Sequence, residues 1–197
     1  MDELKCRKRV LRRLGYASAS DAIELKGRVA CEISAADELL LTELLFNGVF
    51  NDLEVPQVCA LVSCFVFEEK TGGGEATRLS AELSGPLRTM QDTARRIAKV
   101  SKEAKLDIDE DEYVQKFVPS MMDVVSAWCK GHTFAQICKM TDIFEGSIIR
   151  CMRQLEETLR QLCQAAKAIG NTDLENKFAE GIRQIKRDIV FAASLYL

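Results

Sequence analysis

The chain has 197 residues, of which 47% are hydrophobic and 29% charged, and its formal net charge is −3. That balance suits an ordinary globular chain with apolar material for a sizeable core, and an overall acidic charge argues against a protein that binds nucleic acid through bulk basicity. No run of 18 uncharged residues is present and no apolar signal segment follows the charged N-terminus, so no membrane partner is expected.

The eight cysteines form no C-x-x-C pair, and the chain has a single histidine, His132. Cys59, Cys64, Cys129, Cys138, Cys151 and Cys163 fall inside helix-like apolar patterns. They read as buried reduced thiols in a cytosolic or nuclear protein, with no metal site.

The first predicted element is a helix over residues 4–14, with Val10, Leu11 and Leu14 apolar and Gly15 placed to end it. Residues 1–28 concentrate positive charge: Lys5, Arg7, Lys8, Arg9, Arg12, Arg13, Lys26 and Arg28 stand against Asp2, Glu3, Asp21 and Glu24. Such a head either meets phosphate or an acidic neighbour, or is simply solvated. Ile23, Leu25, Val29, Cys31 and Ile33 then alternate with polar residues around Lys26-Gly27, the pattern of a short hairpin over 23–33.

From Ser34 the pattern is helical. Ser34 and Asp37 have the spacing of a capping box opening a helix over 37–46, which breaks at Asn47-Gly48. A nearly all-apolar helix follows over 55–67, then a loop containing Gly72-Gly73-Gly74. A long helix is expected over 79–104, with Leu83, Leu87, Met90, Ala94, Ile97 and Val100 at three-and-four spacing. The acidic run Asp107 to Glu112 suits the positive end of a helix over 113–130, in which Pro119 predicts a kink or a late start. Thr133 caps a short helix to Lys139. A helix over 145–169 carries Ile148, Met152, Leu155, Leu159, Leu162, Ala166 and Ile169 on one stripe. Its other face carries Arg150, Arg153, Gln154, Glu157, Arg160, Gln161 and Gln164. Gly170-Asn171 stops it, and a last helix is expected over 173–195. The fold class is thus mainly α, a helical bundle with one short β-hairpin.

No enzyme site is visible in this pattern. Gly72-Gly73-Gly74 is followed by Glu75-Ala76-Thr77, whereas a phosphate loop needs Gly-Lys-Ser/Thr opening a helix. His132 has no neighbouring nucleophile or carboxylate. Glu68-Glu69 and Glu156-Glu157 are adjacent pairs that point about 100° apart on a helix, so neither is an acid–base dyad. The short helix and long arginine-bearing helix around residue 140 have the outline of a helix-turn-helix, a DNA-binding reading that the acidic charge disfavours.

Several runs resemble the exosome-associated DExH-box RNA helicases. Arg7-Lys8-Arg9-Val10-Leu11-Arg12-Arg13-Leu14-Gly15 resembles the segment returning from their arch, and Leu25 to Ile33 looks like their winged-helix hairpin. Asp37-Glu38-Leu39-Leu40, Phe46-Asn47-Gly48 and Phe50-Asn51-Asp52-Leu53 look like the opening of their DSHCT helical bundle. Ile137 to Asp142, Phe144-Glu145-Gly146-Ser147 and Lys186 to Val190 match as well, and Ser194 to Leu197 looks like the end of such proteins. The ending from Arg187 to Leu197 favours the nuclear, TRAMP-type members over the cytoplasmic superkiller members.

The resemblance implies a C-terminal remnant of a winged helix over 1–33 and a DSHCT bundle over 34–197 with a ratchet helix at about 145–169. It implies RNA contacts at Glu69, Gln154 and Glu157, and the candidate RNA-binding set adds Arg150 and Arg153 from the same polar face, either of which would compensate for a charge missing at 154. The family's Arg-Leu-Glu-Glu stretch corresponds to Gln154-Leu155-Glu156-Glu157, so Gln154 departs from the usual arginine and brings no charge. The function implied is guiding RNA in an ATP-dependent 3′-to-5′ helicase that feeds the nuclear exosome in RNA surveillance and rRNA processing. ATP and magnesium would belong to RecA-like domains elsewhere in the polypeptide, and this chain alone is expected to hold no cofactor and no ATPase site. Expected partners are single-stranded RNA, those RecA-like domains, and exosome and polyadenylation-complex subunits, in the nucleolus and nucleoplasm. The alternative is a helical scaffold that docks proteins without touching RNA.

Overall fold

A computed structural model describes residues 2–68 and 79–191. Among these the chain is a helical bundle. Its helices are α1 (Glu3–Arg13), α2 (Leu25–Ala30), α3 (Glu38–Phe46), α4 (Val55–Ser63), α5 (Ala81–Glu103), α6 (Glu110–Gln115), α7 (Met122–Cys129), α8 (Phe134–Lys139), α9 (Glu145–Ile169) and α10 (Thr172–Ile185). Short 3-10 turns lie at Pro119–Met121 and Asp188–Phe191.

α4 organises the bundle. Val58, Cys59, Ala60, Leu61, Val62 and Ser63 are all buried, so this helix is apolar all round and sits inside the core rather than on its surface. It packs against α5, α7, α9 and α10. The approach of α10 is close: a Cβ on Gly181 would lie 2.9 Å from Cys59 Sγ. Trp128 of α7 is fully buried and donates its indole N–H to the Ile185 carbonyl at 3.0 Å, tying the end of α10 to the core.

The expected hairpin over 23–33 is not there. Residues 25–30 form α2, and the sole bridge among the described residues pairs Ala17 with Ile23. The alternation misleads because Val29, within α2, and Ile33, just beyond it, are buried, whereas Ile23 and Leu25 are 63% and 43% exposed. Gly27 serves close approach rather than a turn, since a Cβ there would meet the Tyr16 carbonyl oxygen at 2.5 Å.

A polar knot joins this segment to the bundle. The carboxylate of Glu43, 3% exposed, takes Lys26 Nζ at 2.6 Å and Arg96 at 2.7 Å. Lys26 also donates to the Leu14 carbonyl at 2.7 Å, and the Tyr16 hydroxyl donates to the Leu39 carbonyl at 3.1 Å. A buried carboxylate needs such partners, because desolvation without them is costly. The basic charges of α1 are largely answered within the molecule: Arg7 pairs with Glu3, Lys8 and Arg12 with Asp21, and Arg13 with Glu103.

Four further expectations change in detail. Asp37, not Ser34, caps α3, accepting from the Leu40 amide at 2.9 Å. The helix expected over 55–67 stops at Ser63, and Glu54 precedes it with its amide bonded to Gln57 Oε1 at 2.8 Å. The helix expected over 113–130 is split, because Pro119 opens a 3-10 turn between α6 and α7. The last helix ends at Ile185 rather than continuing to 195. There Arg187 stacks on the Trp128 ring at 3.5 Å and donates to the carbonyls of Trp128 and His132 at 2.6 Å, and Asp188 takes a left-handed φ of 53°. Residues 192–197 lie outside the described residues.

Of the eight cysteines, Cys6, Cys59, Cys64 and Cys151 are buried and Cys31 is exposed, and none is in a disulfide. Burial, with Cys151 nearby, pushes the Cys64 thiol well up; burial and the Glu175 charge push Cys163 up to about 11. Such thiols stay protonated at neutral pH, the state of a small hydrophobe rather than a metal ligand. Among the described residues no group of three His, Cys, Asp or Glu side chains is arranged to hold a metal, and no helix is long and apolar enough to cross a membrane.

Candidate nucleic-acid interface

The 25 residues of α9 sustain one helical period, and Gly170 ends the helix with φ of 81°, a left-handed conformation open to glycine. Ile148, Met152, Leu155, Leu159 and Leu162 are fully buried against the bundle. The same period turns Arg150, Arg153, Gln154 and Glu157 outward, and all four are exposed.

These four do not share one environment. Arg150 and Gln154, one turn apart, line a cleft of about 290 Å³ with Ser147 and Cys151 of α9 and Val66, Phe67 and Glu68 beyond α4. Val66 and Phe67 are buried at 5% and 3% exposure, so the cleft has an apolar floor between a cation, an amide and a carboxylate. Arg153 is turned elsewhere: its Nε donates to the Val190 carbonyl at 2.8 Å and holds the C-terminal 3-10 turn on α9. Glu157 lies beside Gln161, whose amide nitrogen is 3.5 Å from the Glu157 carboxylate. Glu156, next in sequence, is buried and paired with Arg160, whose guanidinium is held more firmly protonated by that carboxylate. Glu69 lies outside the described residues; Glu68, its neighbour, reaches the cleft.

Two contributions escape inspection of the sequence. The wall from Val66 to Glu68 stands some 80 residues before α9 in the chain, and only packing brings it there. Gln161 belongs by period to the polar row, yet its side chain is structural. Its Oε1 accepts from the Ser34 and Ala35 amides at 2.7 and 2.9 Å, and its Nε2 bonds Ser34 Oγ at 3.1 Å. Three unspent backbone and hydroxyl groups of the 34–35 bend needed a partner, and that need carries no sequence signature.

Among the described residues, then, the class is an all-helical module whose long helix is apolar inward and polar outward over a cleft. Residues 20–192 match the DSHCT (NUC185) domain, and the chain belongs to that family. Over its full length it is 72% identical to the exosome RNA helicase MTR4 of Homo sapiens and 61% identical to the ATP-dependent RNA helicase mtr4 of Schizosaccharomyces pombe. It is 52% identical to the DExH-box ATP-dependent RNA helicase DExH9 of Arabidopsis thaliana. It spans 19%, 18% and 20% of the lengths of these three proteins.

Proposed function

We propose that this chain is the RNA-guiding accessory domain of an ATP-dependent 3′-to-5′ RNA helicase that unwinds RNA and feeds it to the nuclear exosome. The names of its relatives support the parent activity, since they are exosome and DExH-box RNA helicases. The observation that carries the guiding role is the one-sided α9, whose exposed Arg150 and Gln154 open onto a cleft floored by Val66 and Phe67. Arg150 meets phosphate, Gln154 and Glu68 meet base or ribose edges, and the floor takes apolar ring surface. Each such contact is worth ~1 kcal/mol, more where a charge takes part, so a strand is held and released as it advances. Nucleotide and magnesium would sit in RecA-like domains of the same polypeptide, residues 1–33 would complete a winged helix, and exosome and polyadenylation subunits would be nuclear partners. This chain alone is expected to turn over no ATP.

The test uses the full-length protein carrying this chain and single-stranded RNA at two salt concentrations. Arg150→Ala is expected to weaken binding several-fold, and Gln154→Arg to tighten it and steepen the salt dependence by ~0.7 in log–log slope, one added phosphate contact. Lys102→Ala, an exposed charge on α5, serves as the comparison. Equal effects at Arg150 and Lys102 would sink the assignment of this face. One observation favours a docking scaffold instead: Leu4, Ile23 and Leu25 are exposed on the N-terminal segment. On that reading neither α9 variant moves RNA affinity.

A further inference from the structure

The start of α9 breaks two local rules at once. Phe144 occupies the N-cap, where Ser, Thr, Asp or Asn would accept a bond from the first turn, and it makes no side-chain cap. Gly146 follows inside the first turn, where glycine costs ~1 kcal/mol relative to alanine. Its backbone does not require glycine, because its φ is not positive. The ring occupies the space that a side chain would fill: a Cβ on Gly146 would lie 2.7 Å from Phe144 Cε1 and 3.2 Å from Cδ1, and the exposed ring would have to shift. The ring is therefore laid over Gly146. Burial does not explain the arrangement, since Phe144 is 73% exposed, more than any other large hydrophobic residue described.

The ring also has a definite place. Gly146, Arg150, Arg153 and Glu157 follow one another at spacings of four, three and four, so they share a face of α9. A ring lying on Gly146 heads the polar row, one turn before the cleft residue Arg150. Two unfavourable local choices that converge on one exposed, oriented side chain mark a functional position rather than a packing one.

We infer that Phe144 is a stacking platform for one unpaired base of the RNA strand, its ring lying over Gly146; this rests on the RNA-guiding reading above. A flat π-face accepts any base, because every base has a π-face of its own, and it leaves the hydrogen-bonding edges to other groups. Arg150 and the exposed Lys139 at the end of α8 supply positive charge on either side in sequence. A sequence-indifferent contact of this kind suits a strand that must move past the helix one nucleotide at a time.

The experiment measures single-stranded RNA binding by the full-length protein carrying this chain, with Phe144→Leu, Phe144→Trp and Arg150→Ala compared. Phe144→Leu keeps apolar volume but loses the π-face, and is expected to weaken binding about tenfold with the melting temperature unchanged. Phe144→Trp is expected to bind at least as tightly as the parent, with its added emission quenched when RNA binds. Should Phe144→Leu bind normally while Arg150→Ala weakens, the platform is wrong and the RNA reading stands; should neither weaken, both are wrong. If Phe144→Leu lowers the melting temperature, the tryptophan variant decides: emission unmoved by saturating RNA, or moved only by a protein partner, overturns the platform.

Discussion

The two halves of α9 carry similar residues on their outward faces and use them differently. In the first half Arg150 and Gln154 line an open cleft, and the Phe144 ring lies over Gly146 at the start of the helix. In the second half Gln161 is spent on the bend at Ser34 and Ala35, and Arg160 on the buried Glu156. Glu157 sits at the changeover. A polar row along a helix is thus not a single surface: each member's role depends on whether the element facing it offers unsatisfied backbone groups or leaves a gap. The first half lines a cleft with Val66, Phe67 and Glu68, and the second holds the helix against the bend.

Three substitutions break or sharpen that division. The largest effect is expected at Leu155, fully buried on the inward face and next in sequence to Gln154. Leu155→Ala should cost ~2–5 kcal/mol of stability, read as a lower midpoint in urea unfolding, and should weaken RNA binding only as the folded fraction falls. Next is Gln161→Ala, which strips the bend at Ser34 of its partner. A loss of ~1–2 kcal/mol is expected, with RNA affinity of the folded protein unchanged, which anisotropy at a temperature well below the transition checks. An RNA-binding defect there without destabilisation would erase the boundary between the two halves. The smallest stability effect is expected at Glu157→Ala, within ~0.5 kcal/mol because the side chain is exposed. Its effect should appear instead in the unwinding rate of the full-length protein. A variant that melts several degrees lower yet unwinds normally would place Glu157 with Gln161 in the anchoring half.

How legible each part was in the sequence follows from length and from where the partners come from. The span of α9 is read correctly at both ends, residues 145–169, because seven turns of one period leave no competing pattern and Gly170 can take the left-handed conformation that stops it. The stretch over 23–33 is misread as a hairpin because a short apolar run fits period two and period 3.6 alike, and only the core contact of Val29 and Ile33 chooses between them. The end of α10 is invisible for a different reason. Nothing local forbids a helix through residue 195; the break follows from Arg187 finding the Trp128 ring and two carbonyls, 55 or more residues away in the chain.

The candidate site divides the same way. That Arg150, Arg153, Gln154 and Glu157 would point outward was determined by the sequence alone, since the apolar stripe leaves them no other direction. Which of them meets an open cleft, and which meets Val190 or Gln161, was decided only by the tertiary structure. The reason is physical: periodicity orients a side chain about its own helix axis, but the groups it satisfies belong to segments brought beside it by the burial of other residues' apolar surface.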